Sequence, residues 1–530
     1  MLHAIMAAVL VATTLPCSAI PAQPAAARSL VGSYRAGPLA LAFDSAGGWR
    51  VTLNGTLGVE GGYELRRDTV VLRDRGGPRA CPSDVAGRYI QARDGATLTL
   101  VVIADACQGR RGALAREWTA TSGSGGVQAL VGLTLIDGTG APSRPGTTLL
   151  VENGRIRDVF PDGSKPLPDG ANRVDLAGRW VIPGLIDAHV HLATDPSTAD
   201  SRATVLRRLQ NALRGGVTTV RDMGGDARVL AGLARDANLG EIESPSLVYS
   251  AIFAGPDFFR DPRIVASSKG LSPGAAPWGR AVRADTDIPH VVAEAKGAGV
   301  RALKLYADVP AARLRPLVAE AHRQGLMVWS HAALFPARPS EIVDAGIDVL
   351  SHASLLAWEP AAQMPLYTAR ARADFDNVSP TNDAIDRVLR TMASRGTILE
   401  PTLFVVSPQG QPSKSGEWAA RVTARARTLG VRIAAGTDGL IADRENAPPN
   451  LHEELALLVR YAGLTPLDAI GAATSVAATA LGVQDDRGVL APGKAADLVI
   501  LSRDPTSDIG NTRSIEWVMK GGKRYGELAR

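Results

Sequence analysis

Apolar and polar positions alternate in two different rhythms along this chain. From about residue 28 to 120, short β-prone runs are separated by Gly, Asn and Asp turns. Gly48-Trp49-Arg50-Val51-Thr52-Leu53, Thr69-Val70-Val71-Leu72 and the run from Ala96 to Val102 are examples. This pattern predicts a small all-β unit, an antiparallel barrel or sandwich. Val31-Gly32-Ser33-Tyr34 and Ala86-Gly87-Arg88-Tyr89 open alike, as in a meander that closes on itself. Thr121-Ser122-Gly123-Ser124-Gly125-Gly126 has the composition of a flexible linker. Strands are expected next at Ala129 to Ile136, Thr147 to Glu152 and Arg155 to Val159, with a hairpin signal at Asn153-Gly154. Gly493 to Leu501 and Ile515 to Met519, near the far end, read the same way. Residues 125–180 and 488–530 are therefore expected to pair as one discontinuous β-sandwich domain.

Between residues 181 and 487 the rhythm changes to apolar strands alternating with helical stretches. Val181 to Ile186 reads as a buried strand running on to His191. Later strands are expected to end at Arg221, Phe253, Tyr306, His331, His352, Phe404 and Asp438. Strand–helix units repeated in this way fit a (β/α)8 TIM barrel better than an open doubly wound sheet. No G-x-G-x-x-G follows the first strand, which disfavours a dinucleotide fold. The expected fold is thus α/β: a TIM barrel over 181–487, the discontinuous β-sandwich domain, and an extra N-terminal all-β domain over 28–120.

Composition fits a large globular chain. Its 530 residues are 45% apolar and 21% charged, enough for a sizeable core and more than one domain. The net charge of +5 is spread without a Lys/Arg block, so nothing points to nucleic acid as a partner. Residues 1–27 carry an apolar segment, Ala4 to Leu15, then a Pro/Ala-rich stretch ending in Ala25-Ala26-Ala27. That is the form of a signal peptide, so the chain is expected to be exported, periplasmic or secreted. No later segment is long and apolar enough for a membrane span. Cys81 and Cys107 share the N-terminal region, where an oxidising compartment would favour a bridge over two free thiols.

Candidate chemistry begins at His189 and His191. Two residues apart on a strand, they share a face and together can chelate a divalent metal. By itself such a pair is weak. Barrel active sites lie at the carboxyl ends of the strands, so further ligands should appear there. The run Val300 to Tyr306 carries Lys304 and Tyr306 on one face, Leu326 to His331 ends in a histidine, and so does Ile347 to His352. The segment Val431 to Gly439 brings Asp438. Each falls at the end of a separate expected strand.

With these motifs in view, the chain resembles the amidohydrolase superfamily over roughly residues 125–530. The likeness runs through Pro183-Gly184-Leu185-Ile186-Asp187-Ala188-His189-Val190-His191 and Gly216-Val217-Thr218-Thr219-Val220-Arg221-Asp222. It continues through Lys304, His331, His352, Gly436-Thr437-Asp438 and the tail Leu490-Ala491-Pro492-Gly493-Lys494-Ala495-Ala496-Asp497. Within the superfamily it looks like the branch of imidazolonepropionase-related proteins and prolidase-type dipeptidases. The resemblance implies two divalent metal ions, with zinc the expected metal. His189, His191 and Asp438 would hold one, His331 and His352 the other, and Lys304 would bridge them as a carbamate. The alternative for Lys304 is an ordinary partner of Asp438 in a one-metal site. The implied reaction is attack of a metal-bridging hydroxide on a C–N bond of an amide or dipeptide, with Asp438 shuttling the proton. The same centre could open a cyclic amide or lactone, and a non-catalytic binding protein is the remote alternative.

Three further residues are candidates for binding a small-molecule substrate: Tyr306 beside Lys304, Arg221 at the end of the second strand, and His452 after the eighth. His290 and His322 sit in helical contexts and read as solvated helix faces. Loops from Gly255 to Trp278 and from Trp358 to Pro380 are long enough to act as lids. Phe258, Phe259, Arg260, Trp278, Trp358 and Tyr367 would give them apolar walls and a carboxylate anchor. The sequence leaves the substrate and a homo-oligomer open.

Overall fold

In the computed structural model the described residues are 30–526, apart from 45, 67, 95–96, 121–126, 193–200, 269, 440–441 and 443. The expected signal peptide and the Thr121–Gly126 linker lie outside them. The chain divides into two compact units, residues 1–125 and 126–530.

The first unit is a closed antiparallel barrel of strands in sequence order from Gly32–Ala36 to Glu117–Ala120. Closure comes from pairing of its first and last strands, Tyr34 opposite Ala120 and Arg35 opposite Thr119. Alternation puts Tyr34, Leu41, Trp49, Leu72, Tyr89, Leu98 and Trp118 in the interior. Closing the sheet leaves no open edge. Arg110 is buried at one end and is neutralised by Asp74 and Asp105. The same two carboxylates accept the backbone N–H groups of Cys81 and Cys107. Those cysteines form a disulfide, with Cα atoms 6.1 Å apart.

In the second unit the flanking segments build one eight-stranded sheet. Trp180–Pro183 joins its two halves. It pairs parallel with Gln128–Leu135 and antiparallel with Leu498–Leu501. The two flanking segments thus pair as one discontinuous sheet, and its ladder is continuous. It branches at Gln128–Leu135, which also pairs with Asn172–Asp175, and encloses Leu130, Leu149, Val181, Leu498, Ile500 and Trp517.

The sequence also suggested one strand from Val181 to Ile186. The structure splits this run at Gly184. Trp180–Pro183 stays in the composite sheet, while Leu185–Val190 opens a second, parallel sheet. Only glycine fits at the switch, because a Cβ on Gly184 would lie 2.2 Å from Thr218 Oγ1.

The parallel sheet runs β1 (Leu185–Val190), β2 (Val217–Asp222), β3 (Ser246–Ala254), β4 (Ala302–Leu305), β5 (Met327–His331), β6 (Val349–Ser351) and β7 (Ile398–Glu400). Helices such as Arg202–Arg214, Ala311–Arg323 and Asp383–Arg395 follow strands and bury one face each. The eighth expected strand is a bridged segment rather than a regular strand. Ile433 pairs with Leu399 of β7, and Gly439 pairs with Val190 of β1. Ala188 N–H donates to Ala435 O, and Asp438 N–H donates to His189 O. These contacts nearly close the sheet into a barrel. Between them the chain runs too close to β1 for regular pairing: a Cβ on Gly436 would lie 2.9 Å from His189 Cβ and 3.0 Å from Glu400 Cδ. The seventh strand stops at Glu400, and Phe404, its expected end, lies in a 3-10 turn.

Candidate metal centre

The ends of β1, β4, β5, β6 and the segment after β7 bring His189, His191, Lys304, His331, His352 and Asp438 to one end of the parallel sheet. His189 Nε2 lies 3.2 Å and His191 Nε2 3.1 Å from the same atom, Asp438 Oδ1. His352 Nδ1 is 3.8 Å from Asp438 Oδ2. The ring centroids of His331 and His352 are 4.5 Å apart, and those of His189 and His352 5.1 Å. His352 and Asp438 both have positive φ, 71° and 52°. Such backbone conformations cost energy in residues other than glycine and concentrate at functional sites.

Several bonds fix these side chains from behind. Asp187, buried in β1, accepts from His189 N–H at 3.1 Å and from Thr437 N–H and Oγ1–H at 3.1 and 2.9 Å. It thereby ties the histidine strand to the Asp438 segment. Burial raises the Asp187 carboxyl to about 6 despite these bonds. Thr402 Oγ1 is 2.9 Å from His352 Nδ1. Glu454 accepts the N–H groups of Leu403 and Phe404, holding the loop that carries Thr402.

The decisive neighbour is Glu400 at the end of β7, absent from the residues the sequence singled out. Its Oε1 bonds His189 Nδ1, and its Oε2 pairs with Arg221. A carboxylate only accepts, so Nδ1 of His189 carries the ring proton and Nε2 presents a lone pair. That Nε2 is buried without a hydrogen bond among the described residues, although a carboxylate oxygen lies 3.2 Å away. Two lone-pair atoms facing each other in a buried site repel unless a cation lies between them. The donor set, two imidazoles and a carboxylate within 4.8 Å of one another, fits a divalent metal.

Burial also keeps these bases uncharged. It pushes the imidazoles of His189 and His331 well below their ordinary value, and that of His352 down to about 4. Lys304 is fully buried; burial first, and then the charge of Arg221, hold its amine well below 10.5. Its Nζ donates to Ser351 Oγ at 2.7 Å. Burial thus favours the neutral amine, which is a nucleophile as well as a donor. For Asp438 burial opposes ionisation, but the imidazoles around it hold its carboxyl well below the usual range.

The three substrate-binding candidates separate. Tyr306 stands at the site, its ring 4.7 Å from that of His331, with its hydroxyl donating to Met223 O at 2.6 Å. Arg221 does not line the mouth. It is fully buried inside the barrel, donating to Ala188 O and Ala480 O, paired with Glu400 and lying 4.3 Å from the Trp329 ring. His452 is likewise elsewhere. It is buried on the helix Leu451–Ala462, where Nε2 donates to Gly215 O and Nδ1 meets Thr512 Oγ1, both at 2.9 Å. Both corrections have one cause. Position after a strand gives no depth, and each side chain turns toward carbonyls that need a donor. His290 and His322 lie on exposed helix faces, as expected, and His322 pairs with Asp348.

The sequence signature of the amidohydrolase family matches residues 180–525. Imidazolonepropionase of Streptomyces avermitilis is 26% identical over 387 residues, 67% of this chain and 80% of that protein. Ochratoxinase of Aspergillus niger is 25% identical over 392 residues, 65% of this chain and 75% of that protein. The crystal structure of that ochratoxinase aligns with a TM-score of 0.58 at 22% identity, covering 76% of this chain and 96% of the other. A prolidase complexed with N-methylphosphonate-L-proline gives 0.58 at 22% identity, covering 76% and 100%.

Proposed function

This chain belongs to the amidohydrolase family, and from that premise we propose that it is an exported, metal-dependent hydrolase of a C–N bond in an amide or dipeptide. One observation carries the reading: Nε2 of His189 and Nε2 of His191 converge on a single oxygen of Asp438. His189, His191 and Asp438 would hold one divalent ion and His331 and His352 a second, with zinc the expected metal. Lys304, whose burial disfavours the charged amine, would take up carbon dioxide at Nζ with loss of a proton, and as a carbamate would offer such ions a further oxygen donor. Bound there, such ions supply Lewis-acid activation of water and of the substrate carbonyl.

The protein's own groups do the rest. Glu400 and Arg221 hold the His189 tautomer, and Asp187 sets the spacing between His189 and Asp438. Asp438, ionised and touching both imidazoles, accepts the proton of the attacking water and delivers it to the leaving nitrogen. Tyr306 walls the pocket on the His331 side. Relatives whose names are those of a prolidase and an imidazolonepropionase support hydrolysis of an amide or cyclic amide. The Cys81–Cys107 disulfide supports export, and the N-terminal barrel, with no histidine, serves as a structural accessory in this reading. The experiment is a screen of dipeptides, N-acyl amino acids, cyclic amides and lactones with and without a chelator. Chelator-sensitive cleavage of an amide supports the reading. Cleavage of lactones alone redirects it to the second chemistry, and inertness toward every class favours a binding protein.

A further inference from the structure

A chain of aromatic contacts leads away from the metal centre. Tyr306 meets His331 with ring centroids 4.7 Å apart, Phe258 lies 4.9 Å from Tyr306, and Tyr367 lies 5.9 Å from Phe258. Phe258 comes from the insertion after β3 and Tyr367 from the one after β6, so the two expected lids meet here.

Tyr367 also lines a cavity of about 790 Å³, within the range of small-molecule sites. Phe335, Leu355, Trp358 and Phe375 supply further apolar wall. Phe335 and Leu355 lie only four and three residues beyond His331 and His352, which seats the cavity beside β5 and β6.

The polar groups at its edge are unevenly matched. Lys414 is neutralised by Asp376. Asp374 is satisfied by Asp376 N–H and by Asn377 N–H and Nδ2–H. Arg370 lies flat over Tyr367, its Cζ 4.5 Å from the ring centroid, and donates to the Tyr367 hydroxyl at 3.0 Å. Arg372 also lines the cavity and makes no ion pair with any described residue. Aromatic walls therefore meet two guanidiniums without an anion among the described residues; Arg370 is already held on Tyr367, which leaves Arg372 as the planar donor that matches a carboxylate in two-point geometry.

We propose that this cavity is a second substrate subsite, which takes a planar aromatic group bearing a carboxylate. Phe335 and Leu355 seat it close after His331 and His352, so an amide carried by the same molecule would lie toward the metal ligands; that clause rests on the hydrolase reading, whereas the subsite itself does not.

Calorimetric titration of the full-length protein, as purified, with naphthalene-2-carboxylate and with its neutral amide tests it. The carboxylate is expected to bind about tenfold more weakly to Arg372→Gln than to the unaltered protein, one charge-assisted contact's worth. The amide is expected to bind both alike. Trp358→Ala is expected to weaken both ligands. Arg372 is exposed, so its replacement leaves the fold intact. Equal carboxylate affinity for the unaltered protein and Arg372→Gln, or no binding of either ligand, overturns the proposal. Kinetics separate its failure from that of the hydrolase reading. Arg372→Gln should raise KM, at unchanged kcat, for an N-aroyl amino acid carrying a ring carboxylate, and leave N-acetyl amino acids unaffected. Binding that responds to Arg372, together with inertness toward every class in the substrate screen, sinks the hydrolase reading and keeps the subsite.

Discussion

The Glu400 carboxylate grips Nδ1 of His189, and that bond decides what the other ring nitrogen can do. With Nδ1 protonated, Nε2 is committed as a lone pair aimed at Asp438. Arg221 in turn pairs with Glu400 deep in the barrel. Glu400→Gln removes the charge that fixes this tautomer, and loss of such outer partners weakens metal binding by about 10- to 100-fold. Competition against a chromophoric chelator should record a loss of that size. The same variant leaves Arg221 buried without its anion, so a lower melting temperature should accompany it. Unaltered metal affinity would take Glu400 out of the centre.

Asp438→Asn keeps an oxygen at the same place but removes the proton acceptor. Turnover is expected to fall by about 10²- to 10⁴-fold, with most of the metal retained. Steady-state kinetics and metal analysis on one preparation check both halves. Retained turnover would deny Asp438 the proton-transfer role.

Lys304 is the residue whose chemistry is most unusual for its type. With its charged form disfavoured by burial, it should react with carbon dioxide when metal is present. Protein loaded with zinc and ¹³C-bicarbonate is expected to give a carbamate carbon resonance that Lys304→Gln lacks. An unmodified amine in the metal-loaded protein would refute the bridging role.

His452, far from the centre in function, should show in the pH dependence of stability. Burial, reinforced by Arg513, lowers its imidazole to about 4 from the ordinary 6.5. Between these values the unfolded chain takes up a proton that the folded one refuses. Stability should therefore fall as pH drops from 6.5 to about 4 and then level, a change of about 3 kcal/mol. His452→Gln can still donate to Gly215 O but cannot titrate. Urea midpoints across this window should fall more steeply with acid in the unaltered protein than in the variant; parallel curves would contradict the assignment.

The repeating strand–helix rhythm made the parallel barrel legible, and the residues ending its strands are those the structure gathers at one end of the sheet. His331 and His352 needed only the rule that barrel chemistry lies at strand ends. Glu400 carried a usable signal too: an acid closing the apolar run Thr397-Ile398-Leu399, just before Pro401, in a barrel strand. A strand running on to Phe404 hides that signal, because it leaves Glu400 in mid-strand. Arg221 and His452 were misplaced for a different reason. Sequence periodicity gives the face of an element but not the depth along it, and both side chains turn toward buried carbonyls. The break at Gly184 was invisible because Val181 to Ile186 is equally apolar in either sheet. What separates the sheets is the close approach of Thr218, a contact between distant strands.

Metal analysis of the full-length protein, purified with zinc and bicarbonate and assayed before and after chelation, bears on all of these points together. The convergence of His189, His191 and Asp438, with Lys304, His331 and His352 beside them, predicts about two divalent ions per chain. Amide hydrolysis should vanish on chelation and return on adding metal back. Fewer than about one ion per chain, or hydrolysis indifferent to the chelator, would contradict a metal-dependent hydrolase.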